Sequence, residues 1–303
     1  MKLIKPSFEI WEQPSGLEGV YKQIEGAGRV CYKSEDKIAE GTAKAFVDRM
    51  IASGHGAMLE HGTVYLKCKT EVINRYIHPE DGEEEDFNKL EKYEYNSYSV
   101  TNDDGIYLYV TTNLRVLVEN DWLDDLQYIC EPTEFHEKRI TVHFVCDRGV
   151  SHEFVRHRVM SFAQESTRYC NYSKDKFSNE LTFIEPCWLE DYNYKDNTYN
   201  QLFIDSLRFA EAHYLDLLKK WDDKIPDKRY KTGFRNNPWT PQQARAVLPN
   251  ALKTELVVTG FVSDWNHFFD LRARGTTGAP HPQAKELAEP LMKEFIARKY
   301  INN

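Results

Sequence analysis

The residues whose types and spacing could do chemistry are concentrated between positions 156 and 169. Arg156-His157-Arg158 is followed by seven residues, then Ser166, then Arg168-Tyr169. Arginine forks match phosphate oxygens in a bidentate way. Ser161, Gln164, Glu165, Ser166 and Thr167 add donors and acceptors that can read the base and sugar edges of a nucleotide. Read as helical, Arg156 and Arg158 diverge by about 200°, at roughly 100° per residue. They would then serve two neighbouring sites, or two groups of one large ligand. A competing reading makes them the basic end of a helix, complementing its dipole. Cys170 and Ser166 are the nucleophiles nearest the cluster. A thiolate needs a lowered pKa and a serine needs an activating base. The sequence places neither, so Ser166 reads as a binding residue.

These residues need elements to hold them. Residues 140–146 alternate as a strand and end at the turn signal Asp147-Arg148-Gly149, with a helix expected to start near Ser151. Upstream, 36–53 reads as a helix stopped by Gly54, and 62–69 alternates as a strand through Val64, Leu66 and Cys68. The acidic run at 80–86 reads as a solvated loop, 106–111 as a strand, and 113–126 as a helix capped by Thr112 or Asn113. Downstream, 201–221 has helical spacing. Thr240-Pro241-Gln242-Gln243 has the form of a capping box for a helix ending near Pro249. A short strand is expected at 255–260. Ser263 is expected to cap a helix carrying Trp265, Phe268 and Arg272 on one stripe. Pro282 opens the last helix, in which Leu287, Leu291 and Phe295 share a face and Pro290 should introduce a bend. The segment 71–138 reads as an insertion within one domain covering 1–303.

Composition narrows the function. The chain has 303 residues, 41% hydrophobic and 29% charged, which is enough for a sizeable core and unlike a disordered chain. A net charge of -9 makes it a poor partner for a polyphosphate backbone, so no nucleic-acid polymer is expected. Phosphate binding must then rest on a local arginine cluster. No long apolar stretch suggests a membrane span, and residues 1–14 lack a signal pattern, so a cytoplasmic protein is expected. The six cysteines show no zinc spacing, and neither disulfides nor a metal site are expected.

Several segments resemble one family in order and spacing. Arg156-His157-Arg158, seven residues and Ser166 are similar to the signature of the flavin-dependent thymidylate synthases, the ThyX family. The segment from Gly54-His55 to Glu60-His61 resembles the family's GH-x-x-x-x-EH. Arg29-Val30-Cys31 resembles its early Arg-Val-Ser, and Arg245-Ala246-Val247-Leu248-Pro249 its R-x-x-LP. Phe268-Phe269-Asp270-Leu271-Arg272 resembles its F-L-x-LR, and His281-Pro282-Gln283 its His-x-Gln. The chain resembles a divergent member. Phe261, Ser263 and His267 stand where many members carry Asn, Arg and Asn. Ala57 and Cys31 replace hydroxyl residues, Glu153 stands for Gln, and Gln164 stands for Glu.

The resemblance implies an α+β single domain with a mixed or antiparallel sheet and packed helices. It also implies a homotetramer with active sites shared between subunits. The implied reaction is methylation of dUMP to dTMP, with methylenetetrahydrofolate as carbon donor and FAD reduced by NADPH. Cofactor contacts are implied for Arg156, His157, Arg158, Gln164, Glu165, His55, Glu60, His267 and His281. Nucleotide contacts are implied for Glu153, Arg156, Gln164, Glu165, Ser166, Arg168, Arg245 and Arg272, the arginines 245 and 272 coming from a neighbouring subunit. Arg272 is the implied chemical residue, a fixed cation against the uracil edge, with His55 beside the flavin. Two other outcomes are a related C5 modification, such as hydroxymethylation of a pyrimidine nucleotide, and a nucleotide-binding protein without catalysis.

Overall fold

The computed structural model describes residues 1–69, 89–189, 198–219 and 238–302. Strands β1 (Lys2–Ile4) and β2 (Ser7–Trp11) are followed by helices α1 (Gly16–Tyr32), α2 (Thr42–Ala52) and α3 (Gly56–Leu59). Next come β3 (Thr63–Lys69), β4 (Val100–Asp103), β5 (Tyr107–Asn113) and α4 (Leu114–Glu119). The signature region is built on β6 (Arg139–Asp147), α5 (Arg148–Phe154), β7 (Ser161–Gln164) and β8 (Thr182–Ile184). The chain continues through α6 (Thr198–Leu218), α7 (Pro241–Ala244), β9 (Lys253–Phe261), α8 (Val262–Phe269) and α9 (Pro282–Ala297).

The central sheet runs β2-β6-β9-β7 and is antiparallel throughout. Both faces of β9 are covered, which accounts for the unbroken Leu256-Val257-Val258 run. Leu256 and Val258 join Val142, Phe144, Trp265, Phe268, Leu291 and Phe295 in one cluster. Val257 points the other way, into a cluster with Val20, Ile24, Leu59, Leu66 and Val110. Each fully buried side chain of this size stabilises the fold by about 1.5–3 kcal/mol. Helices α1 and α2 approach so closely that a Cβ on Gly28 would lie 2.4 Å from the Phe46 ring.

A second antiparallel sheet, β3-β5-β4, packs its apolar face into the same cluster as α1. β3, expected as a strand at 62–69, pairs here with β5 from the segment read as an insertion, from Thr63↔Asn113 to Lys69↔Tyr107. β1 and β8 form a short parallel pair. The architecture is α+β, with antiparallel sheets and one parallel pair.

Several local expectations need correction. The expected helix at 36–53 becomes a 3-10 turn, Glu35–Lys37, and α2, separated by Gly41 in a left-handed conformation at φ 77°. The expected helix at 113–126 stops at Glu119. Asn113 is its cap, accepting from the Val116 amide at 3.3 Å, and a 3-10 segment follows at Leu123–Tyr128. Asp147, and not Ser151, starts α5. Phe261 precedes α8, where the Asp264 carboxylate accepts from the Phe261 amide at 3.1 Å, whereas the Ser263 amide donates to Glu137. The strand expected at 255–260 extends over nine residues. At α7, Gln243 reaches back to the Thr240 amide at 2.9 Å. α9 carries Pro290 without interruption. The acidic run at 80–86 and the end of the helix expected at 201–221 lie outside the described residues.

Candidate active site

The site is assembled at the end of α5. Asp147 leaves β6 and caps the helix, its Oδ1 accepting from the Val150 amide at 2.8 Å. Its other oxygen accepts from Gln283 Nε2 at 3.0 Å, tying α5 to the start of α9. The helix lasts seven residues. Arg156, His157 and Arg158 therefore lie in the turn after it and not on it, closed by His157 N to the Phe154 carbonyl at 3.2 Å and Met160 N to the His157 carbonyl at 3.0 Å. The divergence expected on a helix is produced by this turn instead. His157 is buried, while Arg156 and Arg158 are exposed and have no ion-pair partner among the described residues.

Arg272 reaches this turn from the π-helical segment Asp270–Arg274, which ends at Gly275 with φ 71°. Its guanidinium donates to Glu153 Oε2 at 2.8 Å, to the Glu153 carbonyl at 2.9 Å and to His157 Nε2 at 3.3 Å. The last bond requires an unprotonated His157 Nε2. Burial, with Arg272 and His267 nearby, lowers the His157 pKa to about 4 and so keeps the ring neutral. The ring lies 5.0 Å from Phe268 and 5.7 Å from His267. Burial also lowers the Arg272 pKa, opposed by Glu153 and assisted by Arg156. Even so, a guanidinium stays charged at neutral pH.

One chain thus brings together Glu153, Arg156, His157, His267 and Arg272. Glu153 also lines a cleft of about 220 Å³ with Asp147, Trp188, Asn250, His281 and Gln283. Asp147, Trp188 and Asn250 escaped the sequence reading. Asp147 carried a legible signal, an Asp directly before a helix start. Nothing local marks Trp188 or Asn250.

Other expected site residues are engaged elsewhere. Gln164 Nε2 donates to Ser151 Oγ at 2.8 Å and Thr254 Oγ1 at 3.2 Å. Glu165 is buried, accepting from Tyr172 Oη at 2.8 Å and Lys253 Nζ at 2.9 Å. Glu60 is bonded to Arg115. His61 is fully buried against Thr259, at 2.8 Å. Ser166 N donates to the Cys31 carbonyl at 2.9 Å, and its hydroxyl accepts from the Arg168 amide at 3.3 Å. Arg168 is exposed beside the Tyr169 ring. His55 is an exposed residue before α3, and Arg245 an exposed residue at the end of α7. Burial pushes the Cys170 and Cys31 thiols up to about 12, so neither is a thiolate at neutral pH.

No hydrogen bond or ion pair joins Arg156-His157-Arg158 to Ser166 or Arg168 among the described residues. Arg156-His157-Arg158 precedes β7 and Ser166-Arg168 follows it. That strand alone spans about 10 Å at roughly 3.3 Å per residue.

Comparison with known proteins agrees with these motifs. The family described as thymidylate synthase complementing protein matches residues 120–298, more than half of the chain. The flavin-dependent thymidylate synthase of Mycolicibacterium gilvum (strain PYR-GCK) is 36% identical over 126 residues, 42% of this chain and 46% of that protein. The enzyme of the same description from Mycobacterium tuberculosis (strain ATCC 25177 / H37Ra) is 33% identical over the same extent. The chain spans less than half the length of these curated relatives. A UMP/dUMP methylase, PolB from Streptomyces cacaoi, superposes at a TM-score of 0.42 with 16% identity, over 98% of this chain and 93% of that one, a likeness too loose to bear on function. The family match across β6, the α5 turn, β9 and α8 carries the conclusion: the chain belongs to the thymidylate synthase complementing protein family.

Proposed function

We propose that this protein is an FAD-dependent thymidylate synthase that methylates dUMP at C5, using methylenetetrahydrofolate as carbon donor and NADPH as reductant. The observation that carries the reading is the Glu153–Arg272–His157 constellation, with Arg156 and Arg158 in the same turn and unpaired among the described residues. Unpaired forks in such a position suit a phosphate-bearing cofactor and nucleotide. Arg156, Arg158, His55 and His267 are exposed and available to hold FAD. Glu60, Gln164 and Glu165, already engaged internally, fit that role poorly. When bound, the flavin supplies the hydride chemistry.

The chain's own groups do the placing. Arg272 is held by Glu153 and neutral His157, so its charge faces a developing negative charge without reorganisation. That favours the pyrimidine ring when its C5 attacks the methylene carbon. Neutral His157 adds no second cation that would loosen Arg272. The cleft lined by Glu153, Asn250 and Gln283 offers room and hydrogen-bonding groups for the base. Arg272 contacts Glu153 and His157 and makes no hydrogen bond to Ser166, Arg168 or Arg245 among the described residues, and in this reading those three serve the site of a neighbouring copy in a homotetramer.

An absorbance spectrum followed by turnover tests the reading. The purified protein should show a flavin band that bleaches anaerobically with NADPH and recovers on adding dUMP and methylenetetrahydrofolate, with dTMP formed. A hydroxymethylated product would move the assignment to a related C5 modification, and absence of flavin affinity would overturn it.

A further inference from the structure

A second site lies away from α5, where the central sheet meets the β3-β5-β4 sheet. A cleft of about 190 Å³ opens there, below the roughly 300–1,000 Å³ of drug-sized pockets, and it is lined by Thr63, Tyr65, Lys138, Arg139, Thr141 and Tyr300. Arg139 is 9% exposed and forms no ion pair with any described residue. Its guanidinium lies over the Phe261 ring at 5.4 Å and donates only to neutral acceptors, the Glu60 carbonyl at 3.0 Å, Thr63 Oγ1 at 3.3 Å and Ser161 Oγ at 3.4 Å, while its buried Nε has no hydrogen-bond partner. A buried charge without a counter-ion is costly. The acids whose fields reach it are engaged elsewhere, Glu60 with Arg115 and Asp264 with the Phe261 amide. Lys138, a second cation in the lining, is exposed, with its Nζ 5.8 Å from the centre of the Tyr300 ring. Two carboxylates stand at the rim, Glu12 paired with Arg298 and Glu131 accepting from Ser15. The deepest charge is therefore the positive one.

We propose that this cleft binds a small oxyanion, the carboxylate or phosphate group of a metabolite, between Arg139 and Lys138. The test is thermal unfolding in inorganic phosphate and in acetate, each against sodium chloride at equal ionic strength. An Arg156→Ala/Arg158→Ala background removes the two exposed guanidinia of the α5 turn. A ligand that binds only the native state raises the midpoint saturably. Phosphate, acetate or both should do so, whichever is stronger naming the ligand group. Adding Lys138→Ala should weaken the apparent affinity about tenfold, the loss of a charge-assisted contact. Arg139→Met, if folded, should abolish the shift. No rise beyond chloride, or a rise unchanged by Lys138→Ala, overturns the proposal. Because Lys138 is exposed, its variant keeps the test decisive even if Arg139→Met does not fold.

Discussion

Two charged regions of this molecule contain residues from the same signature and are built in opposite ways. Beside β9, Lys253 donates to Glu165 at 2.9 Å and also to Glu255. Glu255 receives Lys33 at 2.8 Å and His143 at 2.9 Å. Burial would raise the Glu255 carboxyl, but His143, Lys253 and Lys33 together bring it well below the usual carboxylate range. Each charge there has an opposite partner. After α5, by contrast, Arg272 has one carboxylate, while Arg156 and Arg158 have none among the described residues. A closed network holds a fold together, whereas an open cluster leaves charge for a ligand. Glu165 belongs to the first kind and Arg156 to the second, although they lie nine positions apart in the chain.

Three substitutions sharpen or break this comparison. Glu165→Ala should have the largest effect, since it leaves Lys253 and the Tyr172 hydroxyl without their buried acceptor. Breaking a buried pair costs about 3–5 kcal/mol, measurable by urea unfolding, and a change below about 1 kcal/mol would show that the network is not structural. Arg272→Ala should lower dTMP formation by about 10²–10³-fold, the range for removing one group that stabilises developing charge. Its unfolding midpoint should move less than that of Glu165→Ala. Near-normal turnover would sink the role assigned to Arg272.

The smallest effect is a pH dependence. The His157 pKa falls from 6.5 to about 4 on folding, so the folded chain binds fewer protons than the unfolded one between those values. Its contribution to stability is full above the unfolded value and is lost as pH falls through that window. His157→Gln should therefore flatten the slope of unfolding free energy against pH between about 6.5 and 4. Buried His61, lowered to about 3, titrates in both proteins and cancels in the difference. An unchanged slope would mean that the His157 ring is not held neutral.

Much of the scaffold was legible because its signals are local. The alternation through β3 and β6 and the capping at Thr240 follow from neighbouring residues. The tethering of α5 was not legible, because Asp147 meets Gln283 across 136 positions. The short strands β1, β7 and β8 carry little periodicity of their own and are defined by their partners.

The sequence by itself determined the family signature, the strands and helices with strong periodicity, and the set of polar residues among which the site must lie. Tertiary structure alone decided which of those residues remain available. Glu153 meets Arg272 across 119 positions, and Lys33 meets Glu255 across 222. Whether a charged group is held internally or left for a ligand depends on such distant partners and on burial, and neither is encoded in local spacing.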